Sequence, residues 1–285
     1  MSVTVLNSNT TTAAASDAEI LAVCEGLALA AGRKVMEVFH AGCEVEQKSD
    51  ASPVTEADRA SEEVILAGLR AAFPQIACVA EEEAAGGISP VDIGDTFFLI
   101  DPLDGTKEFV NRNTDFTVNI ALVRNGVPEI GVVYAPCSRR FFAGRRGHAE
   151  AIELADDDTV SARRKIRVRA GAVPLTIVAS RSHRTPETDR FIRKFEAAEI
   201  VSVGSSLKFC LLATGEADLY PRFGRTMEWD TAAGDAVLRA AGGSTSTLDG
   251  QPLRYGKRNQ ADDADFANPF FIAVGDVGDL PIQAE

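Results

Sequence analysis

The chain has 285 residues, 45% hydrophobic and 25% charged, with 29 Lys and Arg against 42 Asp and Glu, a formal net charge of −13. That length fits one large domain or two smaller ones sharing a core. The acidic balance argues against a nucleic-acid groove or an anionic membrane surface as the main partner, and an anionic substrate needs local basic groups or metal ions to be drawn in.

Residues 1–15 are polar, lack an apolar signal-like core and read as a disordered tail. Ser16 with Glu19 forms a capping box that opens a long helix, along which Leu21, Cys24, Ala28, Ala31, Val35 and Val38 recur at helical spacing. Lys48 to Pro53 is a turn-forming, mobile-looking segment. A second helix is expected from Thr55, with Ala57, Ala60, Val64, Ala67 and Ala71 on one face and Pro74 ending it. Strand-like runs follow at Ile76–Ala80, Phe97–Ile100 and Phe116–Val123, then a turn at Arg124-Asn125-Gly126 leads into Ile130–Tyr134 and on to Phe141–Ala143. Residues 151–165 are charged and poor in large apolar groups, the best candidate for a boundary between halves.

Beyond it come a strand at Leu175–Ala179, a helix over Pro186–Ala198, a strand at Ile200–Val203 and a helix from about Ser205. A strand at Asp218–Pro221 and a helix from Asp230 towards Ala241, stopped by Gly242-Gly243, complete the pattern. This irregular alternation predicts a layered, mixed α/β (α+β) architecture, with residues 16–160 as an N-terminal half and 161–285 as a C-terminal half. The five cysteines are odd in number and form no C-x-x-C pair, which suits a reducing cytoplasm. No apolar run approaches the ~20 residues of a membrane span.

The chemistry concentrates where apolar runs meet acids. The run Phe97–Ile100 is expected to end at Asp101-Pro102-Leu103-Asp104-Gly105-Thr106. Two carboxylates at the end of a buried strand lose hydration and repel each other, so a cation belongs beside them. The motif holds no Lys or Arg, and the three histidines are far apart, so carboxylate oxygens are the available ligands and Mg²⁺ or Mn²⁺ the natural ion. Glu81-Glu82-Glu83 follows one strand, Asp230 opens the last helix and Asp58 lies in the first turn of the second. Each has a plainer explanation. Glu83 reads as part of a solvated loop, Asp230 is equally a helix N-cap, Asp58 equally serves the helix dipole, and Asp101 and Asp104 can form a turn. Together, acids at the ends of separate elements are what a multi-metal phosphate site requires. Gly105 allows close backbone approach to a phosphate, with N–H groups of a following helix start beside it.

Glu81-Glu82, the six-residue motif Asp101–Thr106 and Trp229-Asp230, in this order, resemble the lithium-sensitive, Mg²⁺-dependent inositol monophosphatase superfamily. Asp101–Leu122, Gly131–Pro136, Ser180–His183, Gly204–Leu211, Leu219–Gly224 and Trp229–Gly234 resemble its CysQ-type 3′(2′),5′-bisphosphate nucleotidase branch. The resemblance implies a layered αβαβα sandwich, with most metal ligands in the N-terminal half and Asp230 and the specificity residues in the C-terminal one. Glu81, Asp101 and the Leu103 carbonyl would hold one metal, and Asp101, Asp104 and Asp230 a second. Glu81 would also touch a weaker third, giving two to three Mg²⁺ with Mn²⁺ as a possible substitute. Glu82 joins the candidate catalytic set. Asp58 and Thr106 would orient the attacking water, Gly105 and Thr106 would cradle the phosphate, and no phosphoenzyme would form.

Inositol-preferring relatives carry a glutamate shortly before the Trp-Asp pair; the matching position here is Arg222, which suits a second phosphate. Ser205, Ser206 and Lys208 resemble nucleotide-side contacts, Arg225 adds charge, and Lys208 reads equally as a solvated helix lysine. Glu228 departs from the pattern and adds negative charge near an anionic ligand unless it points to solvent. The activity implied is hydrolysis of 3′-phosphoadenosine 5′-phosphate to AMP and phosphate, which would support sulfur assimilation by clearing that nucleotide. The chain would be a monomer or homodimer, cytoplasmic, with peripheral inner-membrane association carried by resemblance alone. Alternatives within the superfamily are inositol-1-phosphate or fructose-1,6-bisphosphate hydrolysis. A haloacid dehalogenase-type phosphatase is rejected, because its D-x-D motif has one residue between the acids and lies near the N-terminus. From another class, a catalytically silent binding or regulatory protein is opposed by the intact acid set and Thr106.

Overall fold

The computed structural model describes residues 15–48, 53–171, 174–182, 184–195 and 198–278. Most of the expected tail, the middle of the Lys48–Pro53 turn, and His183 lie outside the described residues.

Ser16 caps α1 (Asp17–Ala41) reciprocally: Glu19 N–H donates to its hydroxyl at 3.3 Å and Ser16 N–H donates to the Glu19 carboxylate at 2.8 Å. A short ribbon, β1 (Glu46–Gln47) and β2 (Pro53–Val54), leads to α2 (Glu56–Ala72), whose capping box joins Thr55 and Asp58. Next come β3 (Ala77–Ala80), the short α3 (Glu81–Ala85), β4 (Thr96–Asp104) and the short α4 (Thr106–Val110). An antiparallel run follows: β5 (Thr117–Arg124), β6 (Val127–Ala135), β7 (Arg140–Arg145), β8 (His148–Leu154) and β9 (Val160–Lys165). The rest is β10 (Thr176–Ser180), α5 (Pro186–Ile192), β11 (Glu199–Val203), α6 (Leu207–Ala213), β12 (Leu219–Arg222), α7 (Ala232–Ala240), β13 (Ser244–Thr247) and β14 (Phe271–Val274).

Strands β3 to β9 form a seven-stranded sheet in sequence order, and β11-β10-β12-β14-β13 a five-stranded one. Successive residues of a strand face opposite sides. Phe98 and Ile100 therefore join α1 and α2 in one core, while Phe97 and Leu99 join α6, α7 and Tyr220 and Phe271 of the second sheet in another. A third core lies between the far side of the second sheet and α5, with Ile177, Leu219 and Ile272 against Phe191. The layers are thus α, β, α, β, α, as the resemblance implies. Each fully buried Phe or Leu contributes about 1.5–3 kcal/mol, and β4 needs apolar residues on both faces because it has a core on each.

Three expectations are corrected. The strand over Phe97–Ile100 does not stop at Ile100; it continues to Asp104 through a bulge, since Asp101 pairs with Asn119 but Asp104 with Thr117. Pro102 has no N–H to offer a ladder, and a bulge is where a sheet tolerates that. Residues 151–165 contribute to β8 and β9, so the first sheet extends to Lys165; all six β9 residues are exposed, which leaves an edge strand without an apolar face to announce it. The last helix starts at Ala232, after Asp230, and α5 ends at Ile192. Strands β13 and β14 were absent from the sequence pattern.

Candidate active site

The acids converge because of the elements that carry them. Glu81 begins α3 directly after β3, beside Asp101 on the neighbouring strand β4. On an unbroken strand Asp101 and Asp104, three positions apart, would face opposite sides; the extra bulge residue turns both into one cleft. Asp230 reaches the same cleft from the turn before α7, where its Oδ2 accepts the Met227 N–H at 2.8 Å. Ligand oxygens of Glu81, Asp101 and Asp230 all lie within 4.8 Å of one another. Asp104 lines the same cleft, with Asn119 Nδ2 donating to its Oδ2 at 3.3 Å.

The electrostatics of this cluster are those of a cation site. Burial, then repulsion by Glu81, Asp104 and Asp230, raises the Asp101 carboxyl well above its ordinary range. Burial, then Asp104 and Glu81, does the same to Asp230. Asp104 is also raised by burial, with Lys208, Ser206 and Asn119 pulling the other way. The cation found at Glu81 is Lys48, absent from the sequence reading: its Nζ donates to Glu81 at 2.7 Å and to Glu82 at 2.6 Å. Burial alone would lower the Lys48 ammonium, but the two carboxylates raise it. Hard oxygens, buried at Asp101 and half-buried at Glu81 and Asp230, with excess negative charge fit Mg²⁺ or Mn²⁺.

Asp58 is 1% exposed and does two jobs at once. Its Oδ2 accepts the Thr55 N–H at 2.8 Å and hydroxyl at 2.7 Å, closing the cap, while its Oδ1 accepts the Thr106 hydroxyl at 3.1 Å. Burial raises its carboxyl to about 6, against the hydrogen bonds from Thr55. The Thr106 hydroxyl also lies 3.3 Å from the Leu103 carbonyl. Gly105, at φ 94, sets Thr106 at the start of α4.

Not every predicted residue joins the cleft. Glu82, one residue further round α3, lines a second groove with Arg59, Glu62 and Arg70. Glu83 is in a helix and not a loop, paired with both Arg70 Nη atoms at 3.0 and 2.7 Å. Ser206 is 2% exposed, behind the wall: its hydroxyl donates to the Asp230 carbonyl at 2.6 Å and accepts from Asn119 at 3.0 Å. Glu228 neither faces the ligand nor solvent. It is fully buried, accepting N–H groups of Gly256 and Lys257 and pairing with Lys257 Nζ at 2.6 Å.

The opposite wall is cationic. Lys208 is 5% exposed, which overturns the solvated reading; its Nζ donates to the Val203 carbonyl at 3.4 Å and to that of Ser205, and lies 5.4 Å from the Tyr220 ring centre. Burial lowers its ammonium to about 8, with Asp104 opposing. Arg222, on β12, donates to the Arg225 carbonyl at 2.9 Å. Ser205, Lys208, Arg222 and Arg225 line one cleft of about 230 Å³ with Glu81, Asp101, Asp104 and Asp230. Arg225 is held at its rim by Asp263 at 2.5 Å.

Residues 16–268 match the model of the inositol monophosphatase family. The chain belongs to that family. It is 43% identical over 251 residues to the 3′(2′),5′-bisphosphate nucleotidase CysQ of Escherichia coli O157:H7, covering 87% of this chain and 96% of that protein. The protein of the same name from Buchnera aphidicola is 39% identical over 235 residues, covering 82% and 86%. Among solved structures, CysQ from Bacteroides thetaiotaomicron, a bacterial family member, aligns with a TM-score of 0.71 at 35% identity, covering 91% of this chain and 98% of that one. The Thermotoga maritima IMPase aligns with a TM-score of 0.71 at 26% identity, covering 90% and 92%. Among the described residues no helix is long and apolar enough to cross a membrane.

Proposed function

We propose that the chain is a Mg²⁺-dependent phosphomonoesterase that hydrolyses 3′-phosphoadenosine 5′-phosphate to AMP and phosphate, and so clears that nucleotide during sulfur assimilation. One observation carries this reading: an acid triad centred on the buried Asp101 and a cationic wall, Lys208 and Arg222, share one cleft. The acids suit the scissile phosphate with its metal ions, and the cations suit a second phosphate. The relatives named bisphosphate nucleotidase, at 43% identity, support it further.

Glu81, Asp101, Asp104, Asp230 and the Leu103 carbonyl would hold two to three Mg²⁺ ions, with Mn²⁺ as a substitute. When bound, the ions supply Lewis-acid neutralisation of phosphate charge and activation of water. The remaining work belongs to the chain. Asp58 Oδ1 accepts the hydrogen bond of the Thr106 hydroxyl, which turns the Thr106 oxygen lone pairs outward to accept from and orient the attacking water. Backbone N–H groups at Gly105 and Thr106 cradle the phosphate. Water attacks in line and no side chain is phosphorylated. Five free thiols suit a reducing, cytoplasmic setting.

Arg222→Glu tests the specificity reading. Compared on 3′-phosphoadenosine 5′-phosphate and inositol 1-phosphate, the ratio of kcat/KM values is expected to fall at least ~10-fold towards the monophosphate, since a charge-assisted contact becomes a repulsion. An unchanged ratio would contradict it. A wild type that prefers inositol 1-phosphate or fructose 1,6-bisphosphate would favour the other superfamily reactions, and one that hydrolyses nothing would favour a binding protein.

A further inference from the structure

Lys208, in α6, is held by the loop between β11 and α6, and that loop hangs from a carboxylate of the first half that is not part of the cleft lining. Asp115 precedes β5. Its Oδ2 accepts the Gly204 N–H at 3.2 Å and pairs with Arg181 Nη1 at 2.8 Å. Arg181 in turn donates to the Ser202 carbonyl at 3.2 Å, so one acid ties the ends of β10 and β11 to the first sheet. Beside it, Glu108 on α4 accepts the Ser182 hydroxyl. The approach is close. A Cβ on Gly204 would sit 2.7 Å from the Asp115 carbonyl oxygen and 3.0 Å from Glu108 Cγ, so glycine is required there.

The consequence runs straight into the cleft. Ser205, next in the chain, takes the left-handed conformation at φ 50, and the Lys208 ammonium donates to the carbonyls of Val203 and Ser205. The ammonium is therefore positioned by backbone 203–205, and that backbone is positioned by Asp115. The metal-ligand acids Asp101 and Asp104 belong to β4, which pairs with β5 immediately after Asp115.

We propose that Asp115 is a positioning residue for substrate choice: through Gly204 it sets the span between the acid cluster and Lys208, and hence the preference for a substrate with a second phosphate. The inference rests on the bisphosphate reading of the cleft. A carboxylate accepting a backbone N–H makes a charge-assisted hydrogen bond, about twice as strong as a neutral one, and small displacements of a binding group carry large kinetic costs.

The test compares the full chain with Asp115→Ala and Asp115→Asn on 3′-phosphoadenosine 5′-phosphate and on p-nitrophenyl phosphate, with the melting temperature of each. Asp115→Ala is expected to raise KM for the bisphosphate more than it lowers kcat, and the bisphosphate-to-monophosphate ratio of kcat/KM should fall about tenfold. Asp115→Asn keeps an acceptor for the Gly204 N–H and should recover most of the ratio. If Asp115→Ala melts too early to assay, Arg181→Ala loosens the same carboxylate and should lower the ratio by a smaller factor. A ratio that stays put overturns the inference, whether both activities fall together or neither moves. A wild-type chain with no preference for the bisphosphate overturns the reading of the cleft itself, and the inference with it.

Discussion

Asp101 is where the charge problem of the cleft is most acute. It is 1% exposed, its carboxyl is raised by burial and by three neighbouring acids, and it belongs to the triad of close oxygens. Asp101→Asn should cost more than the ~10–100-fold typical of losing a residue behind a metal ligand. The same change should raise the melting temperature of the metal-free protein, because it removes a charge the fold otherwise has to neutralise. Phosphate release and thermal unfolding check both halves, and near-wild-type activity would contradict the ligand assignment. Asp101 was legible in the sequence because an acid ending an apolar run has no inexpensive bland role. Lys48 was not: its partners Glu81 and Glu82 lie 33 and 34 positions away, and a lone lysine beside a turn has no pattern. The burial of Glu228 is equally illegible in the sequence, since its neutralising N–H groups come from Gly256 and Lys257.

At the level of elements, the site depends on two backbone features. One is the β4 bulge, which puts Asp101 and Asp104 on one side. The other is the approach of α7, directly after Asp230, to the first sheet. A Cβ at Gly131 would lie 2.3 Å from the Ala233 carbonyl oxygen, backbone that cannot swing aside. Gly131→Ala should therefore destabilise the fold by about 1–3 kcal/mol, and activity should fall with it as α7 and the Asp230 turn shift. Denaturant unfolding checks the first claim; an unchanged midpoint would mean that α7 is not seated by this contact. The starts of α1 and α2 were legible because Ser16 and Thr55 carry capping chemistry locally. The exposed edge strand β9 and the polar β13 were not, since pairing with a neighbour, and not their own pattern, makes them strands.

Over the whole molecule, five layers bring Asp101 and Asp104 of the first sheet, Glu81 of α3 and Asp230 before α7 into one cleft with Lys208 of α6 and Arg222 of the second sheet. The alternation of elements foretold layers but not how closely α7 seats on the first sheet, because beside its apolar face that approach needs two glycines, Gly131 and Gly144. The acids also set a pH dependence. Burial raises Glu62 and Glu82 to about 7 and Asp58 to about 6. A folded state that holds protons more tightly than the unfolded chain gains stability that is full at low pH and lost as pH rises through those values. The melting temperature of the metal-free protein should accordingly fall between about pH 5 and pH 8. Mg²⁺ should raise it more at pH 8, where it replaces missing protons, than at pH 5; an equal shift at both would contradict the account. The most direct test of the central claim is phosphate release from 3′-phosphoadenosine 5′-phosphate by protein stripped of metal, before and after Mg²⁺ is restored. The account predicts no turnover without the ion and, once it is restored, AMP and phosphate in equal amounts, with inhibition by Li⁺. Turnover by the stripped protein, or none after Mg²⁺ is returned, would contradict it.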